Sequence, residues 1–153
     1  MQWLDQRLEQ ALFPSDSTRY VYGVDSYYDG PCAMNYDPWL HADLLGIPVV
    51  TRPKLPKPGV VAVYSKKYRA IFALPGKPFA VERCAIAHEI VHHEHGDVGH
   101  THGQEARADR IAARRLIRPT LLSQLHDADP ARAALELDVT ERIMSAYLKH
   151  HHG

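Results

Sequence analysis

The segment FAVERCAIAHEIVHHEHG, residues 79–96, carries the clearest fold signal in the chain. Apolar residues stand on nearly all of its faces and Gly96 closes it, so we predict a largely buried helix over Phe79–His95. His88 and His92 are four residues apart within this segment. On a helix their rings project from one face, one turn apart, where both can bind a single metal ion.

Glu89 stands directly after the first of these histidines. In an H-E-x-x-H helix this carboxylate lies beside the metal-bound water and does not bind the metal itself. Zinc with three protein ligands keeps a fourth position for water and lowers the pKa of that water to about 7. We therefore predict zinc as the cofactor, His88 and His92 as ligands and Glu89 as the general base of a peptidase. The alternative is a pair of hydrogen-bonded core histidines beside a solvent-facing Glu89.

A third ligand has to come from outside this helix. The metzincin pattern H-E-x-x-H-x-x-G-x-x-H would place histidine at position 98, where this chain has Val98, so that subclass is excluded. The next predicted helix has an apolar inner stripe made of Ala108, Ile111, Ala112 and Leu116. Glu105 extends this stripe by one turn, which favours it as a ligand. The same carboxylate would also be stable as an exposed acid near a helix N-terminus.

Several neighbouring side chains remain rival ligands. Six of the 11 histidines fall between positions 88 and 102, and His93 and His95 crowd the end of the first helix. Asp109, one turn after Glu105, is suited either to orienting a ligand histidine or to forming an ordinary helix salt bridge. The rival ligands on spacing alone are Asp97, His95, His100, His102 and Asp109.

The flanking sequence predicts an α+β fold in which a small antiparallel sheet packs against the histidine helix and further helices follow. Predicted strands cover residues 47–50, 60–64 and 70–74, the last two forming a hairpin, and other predicted helices cover residues 3–12, 38–45, 104–117, 120–126 and 131–148. Residues 15–34 are predicted to form a loop.

The last helical stretch is weakly similar to a helix-turn-helix, but its apolar spacing favours packing helices. The residues expected to pack are Leu135, Leu137, Val139, Ile143, Tyr147 and Leu148.

Length and composition fit one globular domain. The 153 residues suffice for a core over about 38–119 and a helical extension over about 120–149. The 18 basic residues balance the 18 acidic ones, so no direct nucleic-acid binding is expected. No run reaches the roughly 20 apolar residues of a membrane span and no secretory signal is visible, so we expect a cytoplasmic protein without membrane contact. Cys32 and Cys84 are expected to be plain thiols, and His150 to His152 a disordered tail.

Two stretches resemble the ImmA/IrrE family of metallopeptidases. The first is ERCAIAHEIVH over residues 82–92, and the second is EARADRIAARRLIRP over residues 105–119. The corresponding family patterns are A-H-E-x-x-H and E-x-x-A-(N/D)-x-F-A-A-x-L-L-x-P. The likeness extends from about residue 44 to residue 119. Ile111 replaces the usual Phe and Val91 a frequent Gly.

The resemblance implies a zincin-like, gluzincin-type site with Glu105 as third ligand. It also implies cleavage of a helix-turn-helix transcriptional repressor or related regulator, as in mobile elements such as phages and in stress responses. The alternative is a non-catalytic regulatory module that binds a repressor or DNA. Its metal would be structural and have four protein ligands, with His95, His100 or His102 bound to the ion in place of an exchangeable water. A metal-dependent toxin or nuclease is disfavoured by the neutral charge.

Overall fold

The computed structural model of the chain describes residues 36–151. In this range six helices and three strands form an α+β fold, as predicted. The helices are α1 (Pro38–Leu44), α2 (Phe79–His95), α3 (His102–Leu116), α4 (Pro119–Ser123), α5 (Pro130–Glu136) and α6 (Glu141–His151); the strands are β1 (Val49–Thr51), β2 (Ala62–Ser65) and β3 (Ala70–Ala73). The helix predicted at residues 3–12, the loop predicted at 15–34 and Cys32 lie outside the described residues.

The sheet is mixed, with strand order β1-β3-β2. The β2–β3 hairpin is antiparallel, as predicted, with Val63 opposite Phe72. The prediction of an entirely antiparallel sheet was wrong, because β1 pairs in parallel with β3 and places Val50 beside Phe72. A tight hairpin imposes antiparallel pairing, whereas the long connection from β1 to β2 carries the chain across the sheet and leaves the direction of β1 free. The consequence is that β2 lies at one edge of the sheet.

Helix α2 is buried between two apolar clusters, which explains why its sequence is apolar nearly all round. On one face Ile86 and Ile90 are fully buried against the sheet and α1. On the other face Cys84 and Ala87 pack in a cluster with side chains from α3, α5 and α6. Burial of each isoleucine stabilises the fold by roughly 2–3 kcal/mol. Helix α2 is therefore a fixed platform for its polar side chains, and the C-terminal helices belong to the same core.

The C-terminal segment departs from the single helix predicted at residues 131–148. It breaks between α5 and α6, where Asp138 has a left-handed φ of 52°. The Nη1 group of Arg83 donates to the carbonyls of Leu137 and Asp138 at 3.3 and 3.0 Å, and so replaces helical hydrogen bonds at the end of α5. These contacts connect α2 to residues 54 and 55 positions away, so local periodicity could not show the break.

The predicted packing role of the last helices is mostly confirmed. Val139, Ile143 and Tyr147 are buried, whereas Leu135 is 79% exposed and its predicted packing was wrong. The prediction of a terminal tail was wrong for His150 and His151, which belong to α6. The remaining members of the predicted set, Leu137 and Leu148, are partly buried.

Two further predictions concern Cys84 and membrane-spanning helices. Cys84 is a buried free thiol, as predicted. Between residues 36 and 151 no helix is long and apolar enough to cross a membrane.

Candidate metal centre

Helices α2 and α3 bring together three side chains that could bind a metal ion. His88 and His92 project from one face of α2, and their Nε2 atoms are 3.0 Å apart. The Oε2 atom of Glu105, in the first turn of α3, lies 3.1 Å from Nε2 of His88. The Oε1 atom of Glu105 lies 3.0 Å from Nε2 of His92. The group His88, His92 and Glu105 could hold a metal ion, since its ligand atoms all lie within 4.8 Å of one another.

Local sequence explains why Glu105 reaches this point. Thr101 and Gln104 form a reciprocal capping box that fixes the start of α3 at His102, three residues before Glu105. The predicted inner stripe then sets the rotation of the helix, because Ala108 and Ala112 are fully buried where α3 packs on α2. The small alanines allow close approach of the two helices. The other two residues of the stripe agree with this rotation of the helix, because Leu116 is buried and Ile111 is partly buried.

The outer nitrogen of each histidine is held by a carboxylate. Nδ1 of His88 lies 2.8 Å from Oδ1 of Asp109, and Nδ1 of His92 lies 2.8 Å from Oδ2 of Asp97. A carboxylate accepts a hydrogen bond, so each Nδ1 donates to its carboxylate and, when the ring is neutral, Nε2 is an acceptor that faces Glu105. In that state three acceptors converge, and a shared cation could bind between them. Carboxylates on the outer nitrogens are the usual companions of zinc-binding histidines, so these residues fit a zinc ion.

Charges around the centre keep its carboxylates ionised. Burial raises the pKa of Asp109, but the hydrogen bonds and charges of His88 and Arg142 outweigh burial and leave that pKa below its usual value. The pKa of Glu105 is also lowered, since hydrogen bonding to His100 and the charges of the three nearby histidines outweigh burial. Ionised oxygens are the form that binds a hard or borderline cation.

Glu89 lies beside the ligands in a more apolar environment. Its side chain is 6% exposed, and burial raises the pKa of its carboxyl group. The main-chain N–H of Tyr64 in β2 donates to Oε2 of Glu89 at 2.8 Å, while the described residues give Oε1 no hydrogen-bond partner. Glu89, His88 and Glu105 line a cavity of about 210 Å³ whose other wall includes residues 59–62 at the start of β2. The alternative prediction, in which Glu89 faces the solvent, was therefore wrong.

The rival ligands lie around the three-residue group and outside it. Nδ1 of His100 lies 3.0 Å from Oε1 of Glu105, and the His100 side chain is 39% exposed. Nδ1 of His95 is bonded to the carbonyl of Val91, and His102 is exposed at the start of α3. Asp97 and Asp109 contact the ligand histidines as described, and Nδ1 of His93 contacts the hydroxyl of Tyr64 at 2.9 Å.

Three contacts at the centre were not predicted from sequence. Arg107 forms a close ion pair with Asp97, and Arg142 contacts Asp109 from α6. The N–H of Tyr64 is a main-chain group and has no sequence signal. Arg107 lies two residues after Glu105, a spacing that does not place two side chains on one helix face, and Arg142 lies 33 positions from Asp109. Helical spacing therefore predicted neither contact.

Comparisons with known proteins add no family assignment. No family model matches the chain, and no match was found among curated proteins. The resemblance of residues 82–92 and 105–119 to the ImmA/IrrE family therefore stays a prediction, together with the zincin-like fold and the activity that it implies.

Proposed function

We propose that this protein is a zinc-dependent endopeptidase with a zincin-like fold and a gluzincin-type site similar to that of the ImmA/IrrE family. In this proposal His88, His92 and Glu105 bind zinc and Glu89 is the general base. The observation that carries it is the convergence of two Nε2 atoms on the carboxylate of Glu105, while the Nδ1 atom of each histidine contacts a second carboxylate. Two imidazoles and one carboxylate form a ligand set typical of catalytic zinc in peptidases.

Glu89 is suited to move protons in peptide hydrolysis. Bound zinc would act as a Lewis acid that activates water and polarises the scissile carbonyl. Glu89 would take the proton from the attacking water and deliver it to the amine nitrogen of the leaving peptide. In the zinc-free protein burial raises the pKa of Glu89, the direction that suits a carboxyl group that both accepts and delivers a proton. The N–H of Tyr64 holds Oε2 of Glu89 and leaves Oε1 for water.

The edge strand β2 supports a peptide as the substrate. The carbonyl of Val61 accepts from the N–H of Leu74, so alternate residues of β2 bond to β3. The main-chain groups of Ala62 and Tyr64 therefore face the free edge, and the bond from Tyr64 to Glu89 agrees with this direction. An extended peptide that added to this edge would run beside the cavity at the metal ligands.

The resemblance alone supports the identity of the substrate and the location. A helix-turn-helix repressor or related regulator is the proposed protein partner, and the cytoplasm is the proposed compartment. The direct experiment is incubation of the zinc-loaded protein with the repressor encoded beside its gene, followed by mass spectrometry of the fragments. A defined cleavage site that requires zinc supports the proposal, and an intact repressor contradicts the proposed substrate.

The role of Glu89 is tested by Glu89→Gln. This variant should retain zinc but lose about 10²–10⁴-fold in cleavage rate, because proton transfer by a positioned base contributes that much. Zinc content and fragment yield are measured together. Glu82→Gln removes a carboxylate from the same helix two turns earlier and is the matched control, which should cleave normally. Full activity of Glu89→Gln would rule out Glu89 as the base.

A non-catalytic metal-stabilised regulatory module that binds a repressor or DNA is the second candidate. The observation that favours it is the proximity of His100, whose ring centroid lies 5.6 Å from that of His92. If His100 bound the ion as a fourth protein ligand, no position would remain for water. X-ray absorption of the zinc-loaded protein distinguishes the two, since three histidines around zinc indicate the structural site and two histidines the open one.

A further inference from the structure

Arg142 connects helix α6 to the metal centre. Its Nε–H donates to Oδ2 of Asp109 at 2.8 Å, and its Nη2 lies 3.8 Å from Oε2 of Glu105. The other oxygen of Asp109, Oδ1, contacts Nδ1 of His88. A continuous chain of contacts therefore runs from Arg142 through Asp109 to the ring whose Nε2 faces the metal position.

Asp109 has few other constraints on its orientation. Between residues 36 and 151, His88 and Arg142 are the partners of its carboxylate. An aspartate carboxylate rotates readily about its last torsion, and a ligand histidine whose partner rotates loses both its tautomer and its ring orientation. The Nε–H of Arg142 contacts Asp109 while Nη2 extends towards Glu105, so the rigid guanidinium spans both carboxylates in a way that a point charge does not.

Helix α6 itself is firmly seated. Ile143 and Met144, the two residues after Arg142, are almost completely buried in the cluster shared with α2 and α3. The Arg142 side chain is 65% exposed and extends from this fixed base along the surface to Asp109. An exposed ion pair of this kind contributes little to folding, so its effect on the metal centre can be measured separately.

We propose that Arg142 is a positioning residue of the metal centre, acting on His88 through Asp109, so that the C-terminal helix completes the site. The inference rests on the metal-binding half of the proposed function and not on peptide hydrolysis. Failure of repressor cleavage would leave it unaffected, and its own test requires only metal binding.

The direction in which zinc affinity changes when Arg142 is removed shows whether Arg142 acts by positioning Asp109 or only through its charge. A nearby guanidinium repels a dication, so if Arg142 contributed only its charge, its removal would strengthen zinc binding. If Arg142 positions Asp109, its removal weakens zinc binding. Arg142→Gln should raise the zinc dissociation constant about tenfold, at the lower end of the range for partners of metal ligands. Competition with a chelating dye gives the constant, and the visible spectrum of the cobalt-loaded protein reports the ligand geometry.

The matched control is Arg110→Gln. Arg110 is an exposed arginine on α3, one residue after Asp109, without a contact to the metal centre. Its removal changes the net charge by the same amount and should leave the zinc dissociation constant within about twofold and the cobalt spectrum unchanged. Circular dichroism checks that each variant is folded.

A double-mutant cycle tests the route through Asp109. Asp109→Asn alone should weaken zinc binding about 10–100-fold, and adding Arg142→Gln should then cost less than about twofold. An unchanged or tighter dissociation constant in Arg142→Gln would overturn the proposal, as would a full tenfold loss that persists in the Asp109→Asn background. If Arg142→Gln does not fold, Arg142→Lys replaces it in the same cycle, with an expected loss of about threefold since a point charge replaces the planar fork.

Discussion

Helix α2 has two buried polar regions that satisfy their charges in opposite ways. Arg83, near its start, is 7% exposed and donates to the main-chain carbonyls of Leu137, Asp138, Tyr36 and Leu116. His88 and His92, near its end, direct their Nε2 atoms at the carboxylate of Glu105. In the Arg83 region the donors and their acceptors both belong to the protein, so the buried charge is hydrogen-bonded within the protein itself. The histidine region brings two ring nitrogens and a carboxylate together at one point, and this group could hold a metal ion.

The largest expected effect is the loss of zinc binding when one of these side chains is removed. His92→Ala should raise the zinc dissociation constant about a hundredfold or more, because a structural zinc site gains about 10–16 kcal/mol from four ligands and roughly 3 kcal/mol from each. Chelator competition measures the constant. His93→Ala is the matched control, since its neighbouring ring contacts Tyr64 and not the centre. Equal losses in both variants would contradict the assignment of His92.

A substitution in the Arg83 region should change the stability of the fold and not the zinc affinity. Arg83→Met leaves four carbonyls without their donor and should lower the free energy of unfolding by roughly 2–3 kcal/mol, while the zinc dissociation constant changes little. Urea denaturation of the zinc-free protein measures the stability, and chelator competition measures the affinity. A variant that keeps its stability but loses zinc would show that the two regions are not separate.

The same contrast explains what could be predicted from the sequence. His88 and His92 are related by one helical turn, so local periodicity predicts that they lie together. The stripe of the next helix favoured Glu105 but left other ligands open. The partners of Arg83 lie 33 to 55 residues away, and a helix break that depends on them has no local signal.

For a related reason, the sequence predicted the hairpin of the sheet but not the direction of its third strand. The hairpin of β2 and β3 is set by its short turn, whereas the parallel pairing of β1 with β3 depends on how a long connection crosses the sheet. The α+β class follows from the order of elements, but the direction of the edge strand does not.

The smallest expected effect concerns His41, a third buried polar group, on α1. Burial, with the charges of Arg115 and His93, lowers the pKa of His41 from 6.5 to about 4. The unfolded chain therefore binds the proton more tightly, and the stability that neutral His41 contributes is present above pH 6.5 and is lost as the pH falls towards 4. Between pH 7 and pH 5.5 this loss should be about 1 kcal/mol.

The variant His41→Asn isolates this effect, since asparagine keeps a polar group that does not titrate. Urea denaturation of both zinc-free proteins at the two pH values gives the difference, and the variant should lose about 1 kcal/mol less than the wild type between them. His126→Asn, at an exposed histidine, is the control and should follow the wild type. Identical pH dependence in wild type and His41→Asn would show that His41 binds its proton equally in the folded and unfolded chain. The behaviour of the buried polar groups on α1 and α2 would then depend on the groups that they contact and not on burial itself.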